Sequence, residues 1–298
     1  MDTETPTEST PTVEHLFVTV NGIKLHVAEA KPDNATSKTP LVLCLHGFPE
    51  FWGAWHRQLP ALVDAGYRVW MPDLRGYNLS ESPRKTADYR MDVLKADVGA
   101  LIQASGAKRC MLVAHDWGAA IAWCAAAAYP ELIEKMVIAN VPHPRVFRRT
   151  LFTSARQMMA SWYIFFFQRP WIPEWLLSRN NFAGLTKAMV DTANSGSFSP
   201  ADMEGYQAAW RHSGLTSMIR YYRAAMRYQD IEGTDTITVP TLILWGKKDH
   251  ALTHPMATKS LEYCTDGQLF FFEDGTHWVQ HDCHEEFNTK MIDFLGSP

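Results

Sequence analysis

Three continuous apolar runs are the feature that most constrains the fold of this 298-residue chain. They read LVLCL at 41–45, CMLVA at 110–114 and TLILW at 241–245. A strand with one solvated face alternates apolar and polar residues, whereas these runs are apolar at every position. The pattern therefore predicts strands covered on both faces, as in a parallel sheet flanked by helices.

The segments around these runs extend the same pattern. We predict further strands at 15–20, 23–29, 68–71, 136–139 and 268–272. Helical patterns such as 91–104 and 117–129 lie between several of them, and this alternation is typical of an α/β domain. Asn21-Gly22, between the first two strands, predicts an antiparallel hairpin at the start of the sheet.

The domain organisation follows from where this alternation stops. Between residues 144 and 233 there is no buried-strand run, only helical patterns rich in Trp, Tyr, Phe and Met. We therefore expect a core domain of residues 15–143 and 234–298, interrupted by a helical cap domain of residues 144–233 that covers the active edge. Residues 1–14 are acidic and rich in Thr and Pro, which predicts a disordered leader.

Composition restricts the partners and the compartment. Lys and Arg number 28 against 32 Asp and Glu, a net charge of −4, which favours neither nucleic acid nor an anionic membrane as a partner and leaves a small molecule. The longest apolar stretch, 117–129, is shorter than the ~20 residues of a membrane span. The five cysteines form no CxxC pair and no signal peptide is recognisable, so we expect a cytoplasmic location.

A short motif after the run at 110–114 places an acidic residue in a sharp turn. Asp116 lies between the small residues Ala114 and Gly118, where a strand ends and a helical pattern begins. This is the spacing of a nucleophile elbow, with Asp where Ser usually stands. The positive end of the helix dipole favours a negative charge there. Asp116 is therefore a candidate nucleophile, although on this motif alone it could equally be a helix cap.

Two further candidates follow later strands. Asp249 comes shortly after the run at 241–245, and His277 after the strand predicted at 268–272. Open α/β sheets place their sites at these carboxyl ends. Either residue alone could be an ordinary turn or surface residue. Together with Asp116 they give the chain order nucleophile, acid, base of the α/β-hydrolase fold.

A fourth element follows the run at 41–45. The segment His46-Gly47-Phe48-Pro49 continues from a buried strand, and such a turn can direct a backbone N–H towards the elbow. We assign the N–H groups of Phe48 and Trp117 as an oxyanion hole. The sequence leaves open whether the bond before Pro49 is cis.

The motifs as a set resemble those of epoxide hydrolases with the α/β-hydrolase fold. The resemblance rests on HGFPEFW at 46–52, DLRGYNLS at 73–80 and HDWG at 115–118, and it extends over most of residues 15–295. In that family two tyrosines of the cap hold the epoxide oxygen. The motif positions imply Tyr163 and Tyr222 for this role, with Tyr221 as an adjacent competitor.

The resemblance implies an enzyme that converts a hydrophobic epoxide and water into a vicinal diol. Asp116 would form an alkyl ester, and water activated by His277 and Asp249 would hydrolyse it. Neither a metal nor an organic cofactor is implied, and the protein would be a monomer or homodimer. Because an epoxide tunnel should be apolar, we expect the pocket wall to include Trp162, Phe165 and Trp171.

Three alternatives are weighed against this interpretation. A haloalkane dehalogenase shares the aspartate nucleophile, but it needs donors for a halide, and Phe48 offers no side-chain donor. A serine esterase would need Ser at position 116. A hydrolase-fold receptor that binds a ligand without turnover stays open, although it has little need of Asp116, Asp249 and His277 together.

Overall fold

A computed structural model describes residues 11–228 and 233–296 of the chain. Its centre is one eight-stranded sheet with the strand order β1-β2-β4-β3-β5-β6-β7-β8. The strands are β1 (Glu14–Val20), β2 (Ile23–Ala30), β3 (Leu41–Leu45), β4 (Arg68–Pro72), β5 (Cys110–His115), β6 (Ile133–Ala139), β7 (Thr241–Gly246) and β8 (Gly267–Phe272). All eight predicted strands are present, with ends within three residues of the prediction.

The sheet is mostly parallel, as the sequence predicts. From β4 through β3 and β5 to β8 every neighbouring pair is parallel, whereas β2 is antiparallel to both β1 and β4. The hairpin between β1 and β2 turns at Asn21 and Gly22, whose φ angles of 48° and 72° are both positive. This is the backbone that the Asn-Gly pair favours, which explains the confirmed turn.

The helices flank the sheet and follow its strands. They are α1 (Leu59–Asp64), α2 (Met91–Ala104), α3 (Asp116–Ala128), α4 (Pro144–Thr153), α5 (Ala155–Ala160), α6 (Trp162–Phe166), α7 (Ile172–Thr192), α8 (Pro200–Ser213), α9 (Thr216–Arg227), α10 (Pro255–Leu261), α11 (Val279–Asp282) and α12 (His284–Leu295). Residues 179–182 in α7 depart from helical backbone angles. None of the helices in the described ranges is long and apolar enough to cross a membrane.

Burial on both faces explains the continuous apolar runs. In β3, Leu41, Leu43 and Leu45 face one hydrophobic cluster, which includes residues of α2 and α3. Val42 and Cys44 face the other, which includes residues of α1 and α12. Because fully burying one leucine stabilises the fold by ~1.5–3 kcal/mol, every position of such a strand favours an apolar side chain.

The described residues between β6 and β7 contain the six helices α4–α9 and no strand of the sheet. Buried hydrogen bonds join two of these helices, α8 and α9, to loops at the carboxyl edge. Tyr221 Oη donates to the carbonyl of Arg75 at 2.7 Å, and the Trp210 indole donates to the carbonyl of Pro49 at 2.5 Å. The helical segment therefore lies over the edge at which β3 and β4 end.

The predicted leader lies mostly outside the description. Residues 1–10 are not among the described residues. The predicted leader is wrong at Glu14, because β1 begins at this residue. Glu14 is instead in register with Glu29 of β2.

Candidate active site

Asp116 occupies a strained turn between β5 and α3. Its φ angle is 47°, a left-handed conformation that a residue with a Cβ adopts at a cost. Two glycines make room for it. A Cβ added at Gly47 would lie 2.2 Å from the Cβ of Asp116, and one at Gly118 would lie 2.2 Å from the carbonyl oxygen of Leu45. The turn is therefore possible only with these small neighbours.

The structure brings Asp116, Asp249 and His277 together. His277 Nδ1 lies 2.8 Å from Asp249 Oδ2, and His277 Nε2 lies 3.5 Å from Asp116 Oδ2. Each of the three follows the carboxyl end of a parallel strand, β5, β7 or β8, which is why residues so distant in sequence converge. The imidazole stands between two carboxylates.

Asn140 fixes the position of Asp249. It follows β6 with a φ of 53°, its Nδ2 donates to Asp249 Oδ2 at 2.9 Å, and its Oδ1 accepts from the Gly246 N–H at 2.8 Å. The other oxygen of Asp249 accepts from the N–H groups of Ala251 and Leu252. Sequence reasoning missed Asn140; the available signal was an Asn immediately after a buried strand beside those of Asp116 and Asp249.

One of the two predicted oxyanion-hole donors contacts the carboxylate directly. The Phe48 N–H donates to Asp116 Oδ1 at 2.6 Å, and the peptide bond between Phe48 and Pro49 is cis. The Trp117 side chain lines the adjoining cavity. The role of the Trp117 N–H stays a prediction.

The paired charges shift the ionisation of the site. Burial alone would raise the pKa of Asp116, but the hydrogen bond and charge of His277 bring it below its usual value. Burial alone would lower the pKa of His277, but Asp249 and Asp116 raise it well above its usual value. The site therefore holds Asp116 as a carboxylate.

A cavity of about 220 Å³ opens onto Asp116. Its wall is largely apolar and includes Leu94, Val141, Phe147, Leu151, Ile164 and Met226. Tyr163 and Tyr222 also line it, with ring centroids 5.8 Å apart. Burial, reinforced by the charge of Asp116, raises the pKa of both hydroxyls, so both stay protonated.

Tyr221 and Tyr222 differ in what their hydroxyls do. Both side chains line the cavity, but the Tyr221 hydroxyl is committed to the carbonyl of Arg75. The ring of Tyr222 packs edge-on against Phe48 and Trp117, next to the carboxylate.

The predicted aromatic wall is wrong for three residues. Trp162, Phe165 and Trp171 are absent from the cavity wall and are 62%, 40% and 76% exposed. The reason is helical geometry, because α6 turns Tyr163 and Ile164 towards the cavity and thereby directs Trp162 and Phe165 outwards. Aromatic composition alone does not reveal which face of a short helix is buried.

A buried carboxylate, that of Glu50, lies close to the site. Glu50 Oε2 accepts from the Gly47 N–H at 3.0 Å and lies 2.8 Å from His115 Nδ1, while His115 Nε2 lies 2.9 Å from the carbonyl oxygen of His277. Burial alone would raise the pKa of Glu50, but His115 and His281 hold it well below the usual value. This chain of contacts joins the loop of Phe48 to the loop of His277.

No group of three or more His, Cys, Asp or Glu side chains in the described part of the chain is arranged to hold a metal ion.

Comparison with known proteins identifies the family. Residues 40–282 match the family model described as alpha/beta hydrolase fold. With its mostly parallel sheet and the site at its carboxyl edge, the chain belongs to this family.

Individual relatives are more specific. The AB hydrolase superfamily protein YfhM of Bacillus subtilis is 39% identical over 94% of this chain and 96% of its own length. Epoxide hydrolase 1 of Caenorhabditis elegans is 34% identical over 94% of this chain and 70% of its own. The structure of a Bacillus megaterium epoxide hydrolase in complex with an inhibitor superposes with a TM-score of 0.86, at 33% identity, covering 94% of this chain and 99% of that one.

Proposed function

We propose that this protein is an epoxide hydrolase, which adds water to an apolar epoxide to give a vicinal diol. The observation that carries the proposal is the environment of Asp116: a carboxylate facing His277 at the end of an apolar cavity whose wall also contains Tyr163 and Tyr222. Similarity to proteins named epoxide hydrolase over almost the whole chain supports it. Helices α4–α9 act as the cap over this site.

In the first step Asp116 Oδ2 attacks an oxirane carbon and the carbon–oxygen bond of the ring breaks. The alkoxide that forms is too basic to be released unaided. A tyrosine hydroxyl can hydrogen-bond to it and donate its proton. Because burial keeps Tyr163 and Tyr222 protonated, both are available as donors.

In the second step the ester is hydrolysed. His277 removes a proton from water, and the resulting hydroxide attacks Cγ of Asp116. The N–H groups of Phe48 and Trp117 stabilise the negative Oδ1 of the tetrahedral intermediate. The bond from Cγ to Oδ2 breaks and the diol leaves. His277 passes the first proton of the water to the departing diol oxygen. The second proton returns to the tyrosinate, so Asp116 is again a carboxylate and the reaction balances.

The charges of the site support this order of steps. In the free site two carboxylates raise the pKa of His277. Ester formation removes the charge of Asp116, which lowers the pKa of His277 and releases the neutral imidazole that the second step requires. An aspartate nucleophile also suits an epoxide because it forms an ester, and water can attack the carbonyl carbon of an ester.

The test is to trap the ester. We expect His277→Gln, mixed with an aryl epoxide, to gain the mass of one epoxide on the peptide that contains Asp116. Wild-type protein and the exposed control His212→Gln should instead release diol without accumulating an adduct. If His277→Gln stays unmodified and the wild type makes no diol, the proposal fails, and release of halide from haloalkanes would then indicate a dehalogenase.

A further inference from the structure

An aromatic surface lies outside the active site, on α5, α6 and the start of α7. Eight of the thirteen large apolar side chains that are exposed in the described residues lie within residues 158–176. We call them the aromatic face: Met158, Met159, Trp162, Phe165, Trp171, Ile172, Trp175 and Leu176. Exposed apolar side chains concentrated in this way mark an interaction surface.

In α5 the amphipathic pattern is inverted relative to a helix that faces water, whereas α6 has apolar side chains on both its inward and its outward face. Gln157 and Ser161 are fully buried, whereas Met158, Trp162 and Phe165, at the same helical spacing, point outwards. The buried Gln157 donates to Ser161 Oγ and to a backbone carbonyl, so the inward polar face is satisfied. The outward apolar side chains are largely exposed within the described part of the chain, which indicates that the environment of this face is not bulk water.

The charge around the aromatic face is opposite in sign to that of the whole molecule. Residues 144–180 contain six Arg, one Glu and neither Lys nor Asp, whereas the chain as a whole has a net charge of −4. The single Glu174 forms an ion pair with Arg223. Arg149, Arg156 and Arg169 are exposed, and the exposed Arg179 lies over the Trp175 ring at 4.7 Å.

We propose that the aromatic face binds the surface of an anionic lipid bilayer. Tryptophan and arginine side chains together suit the region between lipid headgroups and acyl chains, and basic residues near an anionic leaflet are attracted to it. The binding is peripheral, because no described helix can span the bilayer. A second copy of the chain is a poorer occupant, since two-fold pairing would press two surfaces of the same positive charge together.

The cavity opens close to the aromatic face, and this position suggests how membrane binding would serve the enzyme. Arg148 and the exposed Phe152 line the cavity and belong to α4, which directly precedes α5 in the chain. A cavity that opens beside a membrane-bound surface can accept an apolar ligand from the bilayer without passage through water. This consequence rests on the proposed function, whereas the membrane binding itself does not.

The first test measures co-flotation of the protein with vesicles. We expect the wild type to float with phosphatidylcholine vesicles that contain about one third phosphatidylglycerol and to stay behind with pure phosphatidylcholine. Trp162→Ser/Trp175→Ser should reduce partitioning about tenfold or more. Phe17→Ser, at an exposed aromatic residue on β1, is the control and should leave partitioning unchanged.

The second test addresses the charge. Arg149→Gln/Arg156→Gln should weaken binding to the anionic vesicles, and added salt should weaken it further. Arg84→Gln, an exposed arginine outside the segment, should have no effect. The proposal would be overturned if partitioning were the same in Arg149→Gln/Arg156→Gln as in the wild type and the same on neutral as on anionic vesicles.

The remaining outcomes also decide the matter. Wild-type protein that binds no vesicle would overturn the proposal. So would a dimer, detected by sedimentation equilibrium, that Trp162→Ser/Trp175→Ser dissociates, because the aromatic face would then pair with a second copy. The ester trap with His277→Gln needs no lipid, so failure of membrane binding and failure of the proposed activity are distinguishable.

Discussion

At the scale of single residues, the identity of residue 116 determines which chemistry the fold can perform. The elbow requires a left-handed backbone conformation at residue 116 and small neighbouring residues. Gly47 and Gly118 provide the space. An Asp there presents a carboxylate to His277 instead of a hydroxyl. These features were readable from the sequence because each depends on a residue type at a fixed distance from a strand end. The outward direction of the Trp162 side chain could not be predicted from the sequence, because it depends on tertiary packing.

The roles of the tyrosines can be separated at this scale. In the His277→Gln background, which isolates ester formation, we expect Tyr163→Phe and Tyr222→Phe each to slow the appearance of the adduct by about 10²-fold, because each removes a donor to the leaving oxygen. Tyr221→Phe is the control, because its hydroxyl is bound to the carbonyl of Arg75. Rapid mixing followed by mass spectrometry measures the rate. An unchanged rate in both single variants would exclude the tyrosines from the reaction.

The pH dependence of ester hydrolysis tests His277. The imidazole must be neutral to accept a proton, and Asp249 still raises its pKa in the ester. Hydrolysis should therefore be slow at low pH, rise through the pKa of His277 in the ester and then level off. Asp249→Asn removes the remaining negative partner, so the rise should shift to lower pH while the plateau falls. Single-turnover decay of the ester across pH measures both, and a rise that stays in place would argue against the pairing.

At the scale of elements, strands were easier to predict than the connections that carry function. The apolar run of β3 is required by burial on both faces, so its ends agree with the sequence. The loop after β6 carries no comparable pattern. The role of Asn140 depends on the pairing of β6 with β7, which the sequence alone does not give. Its contacts to Asp249 and Gly246 couple the ends of two neighbouring strands.

Asn140 supports a prediction about this coupling. Asn140→Ala removes the contacts to Asp249 and Gly246 and keeps a Cβ at positive φ, so it should destabilise the protein by about 2–4 kcal/mol and slow ester hydrolysis. Asn140→Gly removes the same contacts but tolerates the backbone conformation. It should therefore be more stable than Asn140→Ala by about 1 kcal/mol while hydrolysing the ester equally slowly. Urea denaturation and ester decay measure the two effects, and wild-type hydrolysis in either variant would refute the positioning role.

At the scale of the whole molecule, buried polar groups connect loops that follow different strands of the sheet. Glu50 and His115 join the loop after β3, the end of β5 and the loop that carries His277. The sequence shows a carboxylate beside a His-Gly turn, but not the two histidines that approach it from distant segments. Patterns along one chain report local structure, whereas such a network exists only after all the strands are in place.

Acid stability tests this network. The folded protein holds the pKa of Glu50 below its unfolded value, so the stabilisation is complete above the unfolded pKa and is lost as pH falls through the folded one. Glu50→Ala should destabilise the protein by about 3–5 kcal/mol at neutral pH and flatten the loss of stability on acidification. Urea denaturation at several pH values measures this. Glu273→Ala, at an exposed carboxylate that pairs with Lys247, is the control and should have little effect.

The two carboxylate oxygens of Asp116 are not equivalent, and isotopic labelling of the water can detect the difference. Oδ1 is held by the Phe48 N–H, so Oδ2 is the oxygen left to bond with the substrate. Under the proposed chemistry Oδ2 departs with the diol and an oxygen from water takes its place. In ¹⁸O-water, the first diol released should therefore contain only ¹⁶O, while the heavy isotope stays in the protein. Each diol released after the first would then carry an oxygen that entered the enzyme during an earlier turnover.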